Sequence, residues 1–490
     1  MQYLLGDNMA KKTLTPKSQD MSKWYTQVIQ QAKLADYSPV KGCMVIRPTG
    51  YAIWENIQKA LDPMLKDLGV ENAYFPLFIP MSLLNKEADH IEGFAPELAI
   101  VTHGGGEELA EKLVVRPTSE TIMYAMYSEW IHSHRDLPLS LNQWNNVVRW
   151  EKRTYFFLRT TEFLWQEAHT AHAYHEEAMT MVLDGLEAYR KVMEDYLAIP
   201  VIKGRKSTTE KFAGAALTTT IEALMPDGKA LQAGTSHDLG QNFSKKDAFN
   251  ISFQNAQGEL DYVWQTSFGL STRTIGGLIM THGDDDGLVL PPKIAPIQVM
   301  IIPASAENDR IDEYASTLQT KLREKNLRVR IDERSGYSMG WKLNEAELQG
   351  VPLLLVVGER EIDAAQFTVK VRHSGEKKIV SWENIETEVA ELITIVQKEM
   401  FTKAQKSRDA LTFTIETYDQ FKKIMETTRG FLSALWCENV ECEAKIKEET
   451  KATTRCLPFN DAKGNVAEEH GVCVRCGSPA THRWLFAQSY

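Results

Sequence analysis

The stretch VVRWEKRTYFFLRTTEFLWQEAH, residues 147–169, sets Arg149, Glu151, Arg153, Arg159, Glu162 and Glu167 among aromatic side chains. Read as two extended runs joined by a turn near 152–157, it places side chains two apart on one face. Arg149, Glu151 and Arg153 then point one way on the first run, and Trp165, Glu167 and His169 point one way on the second. Such a face is costly to desolvate unless its charges are paired or a polar ligand occupies it. The chemistry it suits is the binding of a zwitterion beside a polyphosphate.

Three other segments carry polar groups in useful patterns. VVRPTSETIMY, residues 114–124, reads as a strand stopped at Pro117 and a helix capped by Thr118 or Ser119. In QAGTSHDLGQNF, residues 232–243, Ser236, His237 and Asp238 are consecutive. Neighbouring side chains on an extended segment diverge, so no hydrolase relay forms from them; a polar strand edge with a functional histidine is the better reading. DYVWQTSFGLSTRTIGGLIMTHGDD, residues 261–285, predicts a strand through Trp264 and Thr266 and a helix starting near Ser271 or Thr272. Arg273 then falls in the first turn, where a guanidinium and free amide donors can meet anionic oxygens. Gly276 and Gly277 allow that helix to approach the sheet closely.

The cysteines are unevenly placed, with Cys43 alone and the other five after residue 436. Cys437-x4-Cys442 and Cys473-x2-Cys476 have the paired short spacing of a closed, structural tetrahedral zinc site. Cys456 belongs to neither pair and reads as a core thiol. His470 and His482 stay open as replacements for one cysteine. HGGG at 103–106 lacks the G-K-[ST] of a phosphate loop and reads as a tight turn. The aspartates at 284–286 lack the ligand spacing of a calcium loop.

These groups need a large scaffold, and 490 residues supply several domains. Residues 1–290 mix helices (51–68, 119–132, 175–197) with strands, among them 71–80 bent or stopped by Pro76 and Pro80. Strict alternation is missing, which predicts an α+β domain with an antiparallel sheet. The turn-rich 282–296 is the expected linker. Beyond it, strands 297–303, 327–332 and 351–358 alternate with helices 309–325, 340–349 and 382–401, predicting an α/β domain over 296–403. Residues 404–490 form a third, cysteine-bearing unit. No apolar run approaches the ~20 residues of a membrane span. The first residues, MQYLLGDNMAKKTL, lack the pattern of a secretory signal, and Met9 is an alternative start. Few cysteines and no signal predict a reduced, cytoplasmic location. A net charge of −11 argues against a nonspecific nucleic-acid coat.

Taken together, the segments resemble the three signature motifs of class II aminoacyl-tRNA synthetases, and RPTSET, LRTTEFLWQEAH and QAGTSHDLGQNF are similar to the prolyl-tRNA synthetase family of the short, archaeal and eukaryotic-like type. The resemblance spans essentially the whole chain. It implies activation of L-proline by ATP to prolyl-adenylate and pyrophosphate, then transfer to the 3′-terminal adenosine of tRNA(Pro). A silent paralogue is disfavoured by intact Glu120, Arg149 and Arg273, and a threonine, serine or histidine enzyme by the proline-type segments.

Free proline needs an anionic partner for its ammonium and a cation for its carboxylate. The resemblance gives Thr118 and Glu120 to the ammonium and Arg149 to the carboxylate, has His237 complete the pocket, and has Trp165, Glu167 and His169 wall or orient it. It gives Arg149 to the α-phosphate of ATP as well, Glu151, Arg159 and Thr160 to the second-motif contacts, and Gln232, Thr235, Ser271 and Arg273 to the remaining nucleotide contacts. Arg149 and Arg273, with Mg2+ brought by ATP, are the implied catalytic cations. It further implies a homodimer built on helix 51–68 and the strand at Pro76. About 95 residues separate His169 from Trp264, too few for the editing insertion of bacterial-type relatives. Residues 296–403 correspond to an anticodon-binding domain, whose stretch 321–342 holds seven Lys or Arg against three acidic residues. Arg334, Lys342 and Glu345 are the implied anticodon readers. Tyr490 matches a C-terminal tyrosine of the family.

Overall fold

The computed structural model describes residues 14–84, 98–305 and 308–490. The leader and start-site readings fall on residues 1–13, outside the described residues. The described residues form two compact units, one within 1–36, 46–53 and 282–400, the other within 37–45, 54–281 and 401–490.

The larger unit is organised by an 11-stranded sheet. Its central strands are Val201–Arg205, Leu217–Leu224, Ala230–Gly240, Trp264–Ser271, Glu162–His172 and Leu139–Val148, each antiparallel to the next. The register aligns Thr218, His237, Ser267 and His169 across four strands, with Thr235, Gly269, Glu167 and Gln143 in the next row on that face. Helix His175–Lys191 covers the opposite face, where Tyr189 OH donates to Gln166 Oε1 at 2.5 Å. Because side chains alternate along a strand, Gln166 is committed to that helix while Trp165, Glu167 and His169 share the free face. Helix Arg273–His282 begins where expected, with Arg273 N donating to Ser271 Oγ at 3.2 Å. A side-chain carbon at Gly277 would lie 2.7 Å from Leu231, so the helix approaches as closely as glycine permits.

The tail continues this sheet. Strand Thr453–Pro458 pairs with Val201–Arg205 through Leu457 and Pro458, and it carries strands His482–Ala487, Phe431–Trp436 and Thr412–Ile415 beyond it. A buried triad spans the join: Glu222 accepts from Lys206 Nζ at 2.7 Å and from Arg455 Nη2 at 2.8 Å.

Several expectations change. The predicted strand 71–80 is two short ones: Glu71–Asn72 pairs parallel with Leu139–Val148, while Phe78–Pro80 pairs with Glu107–Val115 in a separate sheet. Pro76 lies between them, and without an N–H it cannot extend the first ladder. The predicted helix 51–68 starts earlier, at Pro48, which suits the first helical position. Ser119 occupies the N-cap of helix Glu120–Trp130 but makes no side-chain cap bond, because its hydroxyl is used elsewhere. HGGG is the expected turn, with Gly105 and Gly106 at φ 62 and 90.

The smaller unit has a five-stranded sheet in the order Val329–Ile331, Val299–Pro303, Leu353–Val357, Gln366–Val371, Lys377–Ser381. The first three strands are parallel as predicted; the last two form an antiparallel hairpin that the sequence reading passed over. Asp284, in the stretch read as a linker, accepts from both terminal nitrogens of Arg372 at 2.6 and 2.7 Å, an ion pair rather than a cation loop. Among the described residues no helix is long and apolar enough to cross a membrane.

Candidate active site and cysteine cluster

A cavity of about 330 Å³ opens on the free face of the large sheet. Every residue expected to touch proline or ATP lines it. Thr118, Glu120, Trp165, Glu167, His169 and His237 are there, and so are Arg149, Glu151, Arg159, Thr160, Gln232, Thr235, Ser271 and Arg273.

Glu167 differs from a simple ligand-facing carboxylate. Its oxygens accept from Ser119 Oγ (2.5 Å) and N (3.1 Å), Gln143 Nε2 (3.0 Å) and Asn145 Nδ2 (2.6 Å), with His169 Nε2 at 3.2 Å. Burial acts to raise its pKa, but the bonds from His169, Ser119 and Asn145 outweigh it and hold the carboxyl at about 2. Glu167 is therefore an organiser that fixes His169 and the start of helix Glu120–Trp130. His169 Nδ1 lies 3.0 Å from the Tyr124 hydroxyl, and Glu167 and Glu120 raise its pKa against the effect of burial. His237 is the converse case. Burial and nearby His169 push it down to about 3, and its Nδ1 lies 2.9 Å from Thr218 Oγ1. It is a neutral imidazole at pH 7. Glu120, buried, accepts from the Thr118 hydroxyl.

The cationic groups come from outside the strand ladder. The first run of the hairpin ends at Val148, so Arg149, Glu151 and Arg153 lie in a longer connection over 149–161 than the expected turn. Phe156, Phe157 and Leu158 are buried there, and Phe157 adopts φ 58, which lifts the loop off the ladder while anchoring it in the core. Arg149 Nε donates to the Pro117 carbonyl at 3.1 Å, beside Thr118, and its guanidinium lies 5.5 and 5.4 Å from the Phe163 and Trp165 ring centres. Arg273 Nε donates to Leu158 O at 3.1 Å. Burial, then the neighbouring Arg149 and Arg159, push Arg273 down to about 10. Arg149, Arg159 and Arg273 thus form a cluster of neighbouring cations in the cavity wall. Arg159 is partly neutralised by Glu151 at 2.7 Å, and the Thr160 hydroxyl donates to Glu162 O at 2.7 Å. Ser267 and Trp165 also line the cavity, and their buried Oγ and Nε1 have no partner among the described residues.

Sequence reading missed Ser119, Gln143 and Asn145 around Glu167, and Ser267 and Thr218 in the His237 row. Alternation from Ser271 along its strand reaches Ser267, so that signal was present. Thr218 had none, because only strand register brings it there.

In the tail, Cys437, Cys442, Cys473 and Cys476 converge, all Sγ atoms lying within 4.8 Å of one another. The Cys437–Cys476 and Cys442–Cys473 sulfurs are 3.5 and 3.7 Å apart. A tetrahedral zinc with Zn–S of about 2.3 Å requires sulfurs ~3.8 Å apart, whereas a disulfide requires about 2.05 Å. The donor set therefore fits zinc, with four thiolates and no open position. Asn439 caps the helix bearing Cys442, and Cys473 N donates to Ser478 O at 2.7 Å. Neither histidine joins: His482 Nδ1 is 2.6 Å from Glu438, and His470 is exposed. Cys456 is fully buried in its strand.

In the smaller unit Lys342 is buried, its ammonium donating to Asp332 O at 2.9 Å, so it does not belong to the exposed basic surface inferred from charge counting. Glu345 is paired with Lys33 and Arg334. Arg334, paired also with Asp332, lies 5.4 and 5.0 Å over the rings of Tyr337 and Trp341, which stack at 4.0 Å. This aromatic platform was not foreseen.

The comparisons with known proteins agree with this arrangement. Residues 102–282 match the tRNA synthetase class II core domain (G, H, P, S and T), residues 298–392 the anticodon binding domain, and residues 418–490 the prolyl-tRNA synthetase C-terminal domain. A proline--tRNA ligase from Acetoanaerobium sticklandii is 53% identical over 479 residues, covering 98% of both chains. One from Chlorobium phaeobacteroides is 53% identical over 98% of this chain and 99% of its own, and one from Alkaliphilus oremlandii is 51% identical over 97% and 98%. With this coverage, and with a class II core whose cavity gathers the signature residues, the chain belongs to the proline--tRNA ligase family.

Proposed function

We propose that the chain activates L-proline with ATP and transfers the prolyl group to the 3′-terminal adenosine of tRNA(Pro). The observation that carries this is that one cavity holds two groups of opposite character: Glu120 bonded to Thr118 beside the Glu167–His169 pair, and Arg273 with its neighbours Arg149 and Arg159. The first step joins two anions, the prolyl carboxylate and the α-phosphate, so the site must neutralise and align them, and no protein nucleophile is needed. Arg149 adjoins Thr118 through Pro117 and is close enough to Arg273 to lower its pKa, which suits a cation that meets both reactants. Arg273 takes phosphate charge beside the Mg2+ that enters with ATP. Thr118 and Glu120 receive the secondary ammonium, and neutral His237 adds no competing positive charge. Glu151 and Thr160 shape the loop that holds Arg159, and Gln232, Thr235 and Ser271 complete the nucleotide side. The four cysteines hold a structural zinc.

Residues 1–290, 296–403 and 404–490 serve as catalytic, anticodon-binding and zinc-binding segments, with Arg334 on its aromatic platform as the anticodon contact. Tyr74 and Phe78, exposed on either side of Pro76, support association as a homodimer. Unpaired cysteines fit a cytoplasmic setting. Amino-acid-dependent ATP–pyrophosphate exchange tests the reading: proline alone should support it, and exchange with threonine, serine or histidine, or with none, would reject it.

A further inference from the structure

The smaller unit holds an aromatic pair at its surface. Gly336, at φ 82, turns the chain after strand Val329–Ile331, and Ser338 caps helix Met339–Leu348 by accepting from Trp341 N at 3.3 Å. Tyr337 thereby falls just before the cap and Trp341 in the first turn, and their rings stack at 4.0 Å with 23° between the planes. Tyr337 is 48% exposed. A side-chain carbon at Gly336 or Gly340 would meet nothing within 4 Å beyond its chain neighbours among the described residues, so the positions directly preceding the two rings leave open space. The polar groups beside the rings are already spent. Arg334 donates Nε and Nη2 to Asp332 and Nη1 to Glu345. Glu345 accepts from Lys33 on its other oxygen, and Lys342 Nζ donates to the Asp332 carbonyl. The guanidinium over both rings is thus held by two carboxylates of the protein. What this corner offers a ligand is ring face rather than a hydrogen-bonding edge.

We propose that Tyr337, backed by Trp341, stacks one unpaired base of the tRNA anticodon loop, and that this base is the first of the anticodon. The proposal rests on the aminoacylation reading and on the match of residues 298–392 to the anticodon binding domain. Proteins hold unpaired RNA bases by stacking them on aromatic rings or by hydrogen bonds along their edges. Stacking accepts any base, because every base has a π-face. Proline codons share their first letters and differ in the last, so the first anticodon base must be tolerated in every identity while the others are fixed. A ring surface whose neighbouring arginine, glutamate and lysine are committed within the protein suits the variable base and not the invariant ones.

Charging of complete tRNA(Pro) by the wild type, measured first, decides the aminoacylation reading by itself. A transcript lacking only the base at the first anticodon position then tests the proposal with no change in the protein: it should raise KM for tRNA about tenfold, the loss of one base stack, with kcat unchanged. Tyr337→Ala should raise KM by the same factor on transcripts carrying A, C, G or U there and should add nothing further on the abasic transcript. Its proline-dependent exchange without tRNA should stay within about twofold of wild type. Tyr337→Phe keeps the ring and should behave as wild type. The salt dependence of KM should keep its slope in Tyr337→Ala, because no phosphate contact is removed. Equal KM for the abasic and complete transcripts overturns the proposal. So does a Tyr337→Ala penalty that differs severalfold among the bases, which would mean edge reading, or one that multiplies with the abasic penalty, which would place that base elsewhere.

Discussion

The main cavity and the cysteine cluster both gather groups that repel one another when charged. In the cavity, Arg149, Arg159 and Arg273 crowd together, yet each is tethered: Arg149 to Pro117 O, Arg273 to Leu158 O, Arg159 to Glu151. In the cluster, four sulfurs face one another within 4.8 Å, the arrangement of four thiolates around one cation. The tethers let the arginines hold position when the cavity is empty, which an exchangeable ligand requires. The cysteines, by contrast, form a donor set that a single cation could fill and close, which suits a permanent structural role. In a third group both buried cations, Lys206 and Arg455, are held by one carboxylate of the protein itself, Glu222.

The largest effect should come from the region that depends on its ion. Cys442→Ser should lose bound zinc and, because metal binding to such sites amounts to roughly 10 kcal/mol or more of folding free energy, unfold the tail. Zinc content and thermal melting report it, and an unchanged melt would place the cluster outside the fold's support. Arg149→Ala breaks the comparison from the other side. Exchange should fall about a thousandfold or more, comparable to losing a preorganised charge stabiliser, while the melting temperature stays near wild type. Wild-type exchange would remove the assignment. Glu222→Gln strands two buried cations and should cost about 3–5 kcal/mol in urea unfolding; a smaller loss would mean that water reaches the triad.

How much of this was legible follows the same division. Local patterns exposed the hairpin strand with Trp165, Glu167 and His169, the helix at Arg273, and the four cysteines, because period-2 alternation, a cap and short spacings are properties of neighbouring residues. The cage around Glu167 was hidden: Ser119, Gln143 and Asn145 reach it only through strand pairing. Ser119 looked like a helix cap for the same reason, since its hydroxyl could be assigned locally and is in fact spent 48 residues away. Lys342 was misjudged because charge counting along a sequence cannot tell a buried lysine bonded to a carbonyl from an exposed one. The join between tail and catalytic sheet, made by Leu457 and Pro458 against Gly204 and Arg205, lies in no motif.

The smallest effect separates the two regions by acid. Native His237 titrates near 3, whereas an unfolded histidine titrates near 6.5. Between these values the unfolded chain takes up a proton that the native one refuses, so stability falls as pH is lowered, by up to about 1.4 kcal/mol per pH unit. Glu167, held at about 2, adds the same sign only below the ordinary carboxylate range, as its contribution is lost on approaching that value. His169, raised, acts oppositely: its contribution is present below 6.5 and lost as pH rises through its native value. His237→Asn should therefore flatten the stability profile between about pH 6.5 and 4.5, before Glu167 enters. Acid also protonates zinc-bound thiolates and releases metal, so zinc content is followed on the same samples. If the slope survives the substitution and tracks zinc loss instead, acid sensitivity belongs to the cysteine cluster and not to the cavity.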